Sequence, residues 1–65
     1  MKDGRKRANI KSGMEVNIVL KEDQDRGLLT WGVVRDILTK SATHPHGIKV
    51  RLMSREVGRV KEILS

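Results

Sequence analysis

The chain contains no cysteine, phenylalanine or tyrosine, and only one proline and one tryptophan among its 65 residues. Without cysteine it can form neither a disulfide framework nor a zinc site with thiolate ligands. No apolar run approaches the ~20 residues of a membrane-spanning helix, and no signal-peptide core follows the charged start. We therefore expect a cytoplasmic protein that does not associate with membranes.

The sequence also lacks the motifs of most enzymes. It has no glycine-rich loop of the P-loop or dinucleotide-binding type. Ser41, His44 and Asp36 could be combined into a catalytic set, but no nucleophile elbow accompanies them. His44 and His46 suggest a metal site, yet zinc needs at least three protein ligands, and Asp36 or Glu56 could help only if the fold delivered them. We expect no enzymatic activity, no cofactor and no bound metal.

Positive charge is abundant and lies in two parts of the chain. Fourteen Lys and Arg against eight Asp and Glu give a net charge of +6. Residues 1–11 and residues 49–61 each hold five cations and one carboxylate, while Glu22, Asp23 and Asp25 form an acidic group between them. Such a positive field raises the local concentration of polyanions, so the composition favours a polyanionic partner.

The clearest strand covers residues 14–20, where Val16, Ile18 and Leu20 alternate with polar residues. Val19 breaks the polar side of this strand and is expected to be exposed. A polar loop follows over residues 21–27, and Gly27 stands where hairpin loops often need left-handed backbone geometry. The pattern indicates a strand with one face in a core and a turn at its end.

A second β-rich segment covers residues 28–39, which is long for one flat strand. Gly32 would allow a bulge within it, and Asp36 is expected to face solvent or to pair with a cation. A helix over residues 33–40 is the competing interpretation, but adjacent valines make it less favourable.

Two further strands are expected near the end of the chain. Residues 48–53 alternate, with Lys49 and Arg51 on the outer side. Residues 57–63 form a fourth strand or a short helix; Val57, Val60 and Leu64 fit a helical stripe, but Gly58 would cost about 1 kcal/mol within it. We predict a strand.

These patterns predict an all-β protein, a small, strongly bent barrel of four to five short antiparallel strands. Residues 1–9 are expected to form a mobile basic arm, because they have too few apolar side chains to offset their ordering entropy. Residues 10–65 form the single domain. The predicted core consists of Ile10, Val16, Ile18, Leu20, Leu29, Val33, Ile37, Ile48, Val50, Leu52, Val57 and Val60.

The loop before the third strand contains both histidines and the only proline. Pro45 fixes its own φ and biases His44 toward extended geometry, and Gly47 permits a sharp turn into the strand. The imidazoles can hydrogen-bond to the loop backbone, or one of them can remain exposed for contact with a phosphate or a base.

The outer positions of the last two strands suggest a binding surface. If these strands pair, their cations form one basic face, and each directly opposed pair repels itself by a few tenths to ~1 kcal/mol. The repulsion could be relieved by a bound anion, by the carboxylates of Asp36 and Glu62, or by solvation alone. Trp31 either packs at the core or rim, or stacks a base beside Arg35. The candidate nucleic-acid contacts are Arg5, Lys6, Arg7, Lys11, Trp31, Arg35, His44, His46, Lys49, Arg51, Arg59 and Lys61.

Several runs of this sequence resemble the YwbE family, small uncharacterised proteins of bacteria and archaea. They include Ile18-Val19-Leu20-Lys21, Asp36-Ile37-Leu38-Thr39, His44-Pro45-His46-Gly47-Ile48-Lys49-Val50-Arg51-Leu52 and Gly58-Arg59-Val60. The chain has Ser54-Arg55 where the family tends to have Asp-Gly at a hairpin tip, which puts a tight two-residue turn in doubt. Trp31 stands where a basic residue is expected, which implies an exposed ring.

More loosely, the chain is similar to KOW and SH3-like barrels, which are common in ribosomal and transcription-associated proteins. This likeness implies an SH3-like barrel, and it supports function only by association. We expect a monomer that binds nucleic acid, RNA more than DNA, mainly through phosphate contacts. The alternative is a protein-interaction module that takes an acidic protein or an extended peptide on its basic face or on an open strand edge.

Overall fold

The computed structural model describes residues 3–64, which form four antiparallel strands closed into a barrel in the order β1-β2-β3-β4. The strands are β1 (Glu15–Leu20), β2 (Thr30–Ile37), β3 (Lys49–Leu52) and β4 (Val57–Ile63). Short 3₁₀ turns occupy Arg7–Asn9 and Lys21–Asp23. The all-β, SH3-like barrel is thereby confirmed, with four strands, and the alternative helices over residues 33–40 and 57–63 are excluded.

Closure of the barrel leaves no unpaired edge among these four strands, since each of them pairs with two neighbours. The open strand edge considered as a docking site for an extended peptide is therefore absent from the described strands. No helix within residues 3–64 is long and apolar enough to cross a bilayer.

The barrel interior is aliphatic, as the alternation of β1 and β3 predicted. Its cluster of buried residues consists of Ile10, Val16, Ile18, Val34, Ile48, Val50, Leu52, Val60 and Ile63. Leu20 and Ile37 pack against this cluster while remaining partly exposed.

The first part of β2 faces the interior with the opposite set of residues from the one predicted, and the register shift after Val34 brings the predicted Ile37 back against the core. Val34 is fully buried whereas Val33 is only half-buried, and Leu29 is 47% exposed. A shift of one residue turns every side chain of a strand to its other face, and the adjacent valines left this choice open to error. Gly32 therefore points inward, where a Cβ would overlap the side chain of Leu52.

Three other residues differ from the predicted core. Val19 is buried, although it was expected to be exposed, and it shares the lining of a surface depression with Gln24, Gly27 and Leu29. Val57 is half-buried, and Ile63 takes a place in the core. A bulge was predicted at Gly32. The structure has it further along β2, where the pairing with β3 shifts register between Val34 and Asp36.

The hairpin between β3 and β4 is tight in spite of its unusual sequence. The Arg55 N–H donates to the Leu52 carbonyl, and the Leu52 N–H donates to the Glu56 carbonyl, both at 2.8 Å. Arg55 has a φ of 76°, a left-handed conformation that usually favours glycine. The loop thus has three residues rather than two.

The segment before β1 is bonded to the loop between β2 and β3 (residues 38–48), which holds both histidines and which we call the histidine loop. The Arg7 N–H donates to the Ala42 carbonyl at 2.8 Å, the His44 N–H to Arg5 at 2.9 Å and the Ile48 N–H to Gly4 at 2.9 Å. These bonds pair backbone groups of residues 4–7 with the loop without using apolar side chains, and the division at residue 10 between an arm and a domain stays a prediction. Residues 1, 2 and 65 of the predicted arm and domain lie outside the described residues.

Candidate nucleic-acid interface

The outer sides of β3 and β4 bring together three of the cations selected from the sequence. Lys49 and Arg59 are directly opposite each other, and Arg59 is also paired with Val19 of β1. Lys61 follows two residues after Arg59, at the place where the pairing of β1 with β4 skips a residue between Asn17 and Ile18. The predicted opposition of like charges is therefore confirmed for Lys49 and Arg59.

Arg59 lies at the centre of two adjoining depressions, which we call the basic groove. The larger has a volume of about 560 Å³ and the smaller about 390 Å³. The larger is lined by Val19, Gln24, Gly27, Leu29, His46, Arg59 and Lys61. The smaller is lined by Val19, Lys21, Gln24, Lys49, Val57, Gly58 and Arg59. The groove therefore combines cationic sides with an apolar floor.

One wall of the groove is the loop between β1 and β2. It begins with the 3₁₀ turn of Lys21–Asp23, and the Asp23 carbonyl then accepts the N–H groups of Arg26 and Gly27 at 3.0 and 3.1 Å. Gly27 has a φ of 67°, as its position in the loop predicted. This compact turn brings Gln24, Gly27 and Leu29 into the same lining as Val19, which is only 6% exposed.

The opposite wall is the histidine loop. The His46 N–H donates to Nδ1 of His44 at 3.1 Å, and the Gly47 N–H donates to the His44 carbonyl at the same distance. Gly47 has a φ of 102° and lies so close to the Val60 carbonyl that a Cβ would overlap it. The expected turn at Gly47 is confirmed, and His46 rather than His44 lines the groove.

Backbone carbonyl groups of this loop orient two of the cations. Arg59 Nη1 donates to the Gly47 carbonyl at 3.1 Å, and Lys61 Nζ donates to the His46 carbonyl at 3.1 Å. No carboxylate of residues 3–64 forms an ion pair with Lys49, Arg59 or Lys61. Because a carbonyl oxygen orients a cation without cancelling its charge, the groove keeps a net positive potential.

The positive charge around the groove affects the pKa of His44. Its pKa is lowered from the ordinary value of 6.5 by partial burial first, and then by the positive charges of Arg59 and His46. The imidazole of His44 is therefore neutral at neutral pH, consistent with its Nδ1 accepting the His46 N–H.

Arg51 and Arg35 do not line the groove. Arg51 lies opposite Val57 rather than a cation, and its Nη1 is 3.5 Å from the Asp36 carboxylate. Arg35 Nε is 3.8 Å from the same carboxylate. Asp36 thus pairs with cations, as was expected of it. It partly neutralises Arg51, which was predicted to share the basic face with Lys49, Arg59 and Lys61.

The N-terminal cations lie beyond the histidine loop. Arg5 donates from Nε to Oδ1 of Asp3 and from Nη2 to Oδ2 of the same carboxylate, each at 3.1 Å. This contact lowers the pKa of Asp3 and raises that of Arg5. Arg7 Nε donates to the Thr39 carbonyl at 3.0 Å, and the Lys6 backbone bridges to Thr43. None of these side chains lines the groove.

Lys11 lies at the end of β1 that is remote from the groove. Its N–H donates to Sδ of Met14 at 3.1 Å, just before the strand begins, whereas Val19 and Lys21 mark the other end. The structure therefore separates Lys11 from the groove.

Trp31 is exposed on the outer side of β2, with 57% of its surface accessible. It lies opposite Asn17, whose amide Nδ2 donates to Oε1 of Glu62 at 2.7 Å. The ring is thus not part of the core, and the expected exposure is confirmed. Trp31 is two residues from Leu29 of the groove lining and four residues from Arg35.

Residues 3–64 contain no cluster of three or more His, Asp or Glu side chains that could hold a metal ion. The imidazole rings of His44 and His46 are 5.8 Å apart and tilted by 49°.

Two comparisons place the chain among known proteins. Residues 3–63 match the profile of a family described as an uncharacterized conserved protein (DUF2196). Over 63 residues, covering 97% of both chains, the sequence is 56% identical to the uncharacterized protein YwbE of Bacillus subtilis (strain 168). The chain belongs to the YwbE family. The predicted resemblance is therefore confirmed. No solved structure matches the chain.

Within this YwbE-family barrel, sequence reasoning missed the wall formed by the loop between β1 and β2. Lys21, Gln24 and Leu29 line the groove but were assigned to a solvated loop or to the core. Lys21 directly follows β1, and a cation at a strand end next to a basic face was the one available signal. The turn that brings Gln24 and Leu29 into the same lining as Val19 leaves no periodic pattern in the sequence.

Proposed function

We propose that this YwbE-family protein is a cytoplasmic nucleic-acid-binding module, which binds RNA more than DNA through phosphate contacts and catalyses no reaction. The observation that carries the proposal is the basic groove, where Lys49, Arg59 and Lys61 converge without a neutralising carboxylate from residues 3–64.

The arrangement of these cations favours a bound anion. Lys49 and Arg59 are directly opposed, and like charges in that position repel each other. A phosphate between them would replace the repulsion by two attractions. Arg59 and Lys61 are already oriented by the carbonyl groups of Gly47 and His46, so less side-chain entropy would be lost on binding.

The preference for RNA rests on the likeness to KOW and SH3-like barrels, since phosphate contacts alone carry no information on sugar or sequence. Lys21 of the groove, and Lys6 and Arg7 beside the histidine loop, would add phosphate contacts along a longer strand. A monomer is sufficient for this mode of binding, because one barrel supplies the whole groove.

The proposal is tested by titrating the protein with mixed-sequence RNA and with duplex DNA at low salt. We expect a Kd of about 1–100 µM and a log K that falls with log salt by about 0.7–0.9 per neutralised phosphate. The informative variant carries Lys49→Gln, Arg59→Gln and Lys61→Gln. The matched control carries Lys11→Gln, Arg35→Gln and Arg55→Gln, which remove the same charge away from the groove.

The groove variant should lose most of the affinity and most of the salt dependence, while the control retains them. Absence of binding by the unmodified protein at about 100 µM would contradict the proposal. Equal losses in both variants would show that binding follows total charge and not the groove.

The alternative partner, an acidic or extended peptide, has weaker support, because the closed barrel offers no free edge among its four strands. An acidic peptide would still find the same cations. A protein captured from a lysate after nuclease treatment, together with no binding to RNA, would favour this alternative.

A further inference from the structure

The basic groove has more apolar surface than a phosphate site requires. Its floor is Val19, and Leu29 beside it is 47% exposed, although a leucine gains nothing from contact with water or with phosphate. A flat, uncharged ring such as a nucleobase fits this floor, with the amide of Gln24 on the same lining. The lining therefore suits a whole nucleotide better than an isolated anion.

Trp31 lies close to this apolar floor. It is two residues beyond Leu29, which directly precedes β2, so the Cα atoms of the two residues lie within about 7 Å of each other. The ring is 57% exposed and no residue between 3 and 64 stacks on it. Its cross-strand neighbour is Asn17, whose amide donates a hydrogen bond to Glu62. This bond fixes the neighbouring strand next to the ring.

An exposed indole next to fixed cations is a combination that distinguishes unpaired from paired nucleic acid. Base faces are available for stacking only where the strand is not paired, because in a duplex each base is covered by its neighbours. The phosphates of a duplex could reach Arg59 and Lys61, but its bases could not reach Trp31.

We infer that the basic groove and Trp31 together bind an unpaired polynucleotide strand, with phosphates on Arg59 and Lys61 and a base stacked on the indole. This inference rests on the proposed function and adds the class of nucleic acid to it. Stacking on aromatic side chains tolerates every base, so the site would be selective for unpaired strands without being selective for sequence.

The chain contains a single tryptophan, so its fluorescence reports on this contact alone. We would titrate the protein with RNA and DNA single strands of about 10 nucleotides, and with the duplexes that they form with their complements. Single strands should bind more tightly than duplexes and should quench the fluorescence, while a bound duplex leaves it unchanged. Comparison of the two single strands identifies which sugar is preferred.

The variant Trp31→Ala should weaken single-strand binding by at least about fivefold, the lower limit for loss of one base stack, and should leave duplex binding unchanged. Trp31→Phe should restore part of the loss. Met53→Ala is the matched control, because Met53 is similarly exposed, at 55%, at the β3–β4 hairpin. Circular dichroism and thermal melting verify that each variant is folded.

Equal affinities for single strands and duplexes, or a bound single strand that leaves the fluorescence unchanged, would overturn the inference while leaving the proposed function intact. Failure of the unmodified protein to bind any of the oligonucleotides would instead remove the proposed function and the inference with it.

Discussion

Two groups of cations lie side by side on the outside of the barrel, and they differ in what faces them. Arg35 and Arg51 flank the Asp36 carboxylate at 3.8 and 3.5 Å. Arg59 and Lys61 face the carbonyl groups of Gly47 and His46, both at 3.1 Å. The first group is neutralised in part by a carboxylate, whereas the second is oriented and remains charged.

The difference shows that a basic strand does not by itself make a binding surface. Lys49 and Arg51 are alternate residues of β3 and both point outward, yet only Lys49 lies opposite a cation. The register shift between Val34 and Asp36 places Asp36 opposite Arg51. Strand register, more than the number of cations, therefore decides where uncompensated charge collects.

The largest effect is expected from Gly47→Ala, which disturbs the loop that supplies the carbonyl groups. A Cβ at this position would overlap the Val60 carbonyl, and the φ of 102° strains any other residue. We expect a loss of about 2–4 kcal/mol in the free energy of unfolding, measured with urea.

The control for this prediction is Gly13→Ala. Gly13 has a similar φ of 93°, but no atom lies within 4 Å of an added Cβ. This variant should lose only the cost of backbone strain, about 1–2 kcal/mol. Equal losses in the two variants would mean that contact with Val60 contributes nothing to the position of the loop.

The strands were predictable from the sequence wherever apolar and polar residues alternate cleanly. Val16 and Ile18 marked the inner side of β1, and Val50 and Leu52 that of β3. In β2 the adjacent Val33 and Val34 fit either face, so the sequence pattern could not determine which one is buried.

The site was predictable only in part, for a related reason. Alternation placed Lys49, Arg59 and Lys61 on outer positions. The ion pair between Arg51 and Asp36, however, depends on a register shift that the alternation of residues does not predict. The wall that contains Gln24 is formed by a compact turn, which depends on backbone hydrogen bonds rather than on periodicity.

Asp36→Asn removes the carboxylate that faces Arg35 and Arg51. Because an exposed ion pair contributes only about 0–1 kcal/mol, stability should change little. Arg35 and Arg51 would then resemble the cations of the groove, and affinity for RNA should rise by about two- to fivefold, with a steeper dependence on salt.

Fluorescence anisotropy titrations at several salt concentrations measure this change. Glu56→Gln is the matched control, since it removes one carboxylate whose Oε1 accepts a hydrogen bond from Ser54 at 2.9 Å and which pairs with no cation of residues 3–64. A similar gain in both variants would attribute the effect to net charge and would remove the distinction between the two groups.

The smallest effect concerns pH and His44, which borders the groove. Partial burial and the positive charges of Arg59 and His46 lower its pKa below 6.5 in the folded state. Well above 6.5 the imidazole is neutral in both states and contributes no pH dependence. As the pH falls toward and through 6.5, the unfolded chain takes up the proton before the folded one, so the free energy of unfolding decreases.

His44→Asn should reduce this decrease, because the amide oxygen can replace Nδ1 as the acceptor of the His46 N–H but does not titrate. Urea unfolding of both proteins between about pH 7.5 and 5 measures the difference, and identical slopes would contradict the assignment. Bound RNA should also raise the pKa of His44, since phosphates would offset the charge of Arg59 that opposes protonation. Titration of the imidazole by NMR, with and without RNA, would therefore detect an anion in the groove but not one held by Arg35 and Arg51.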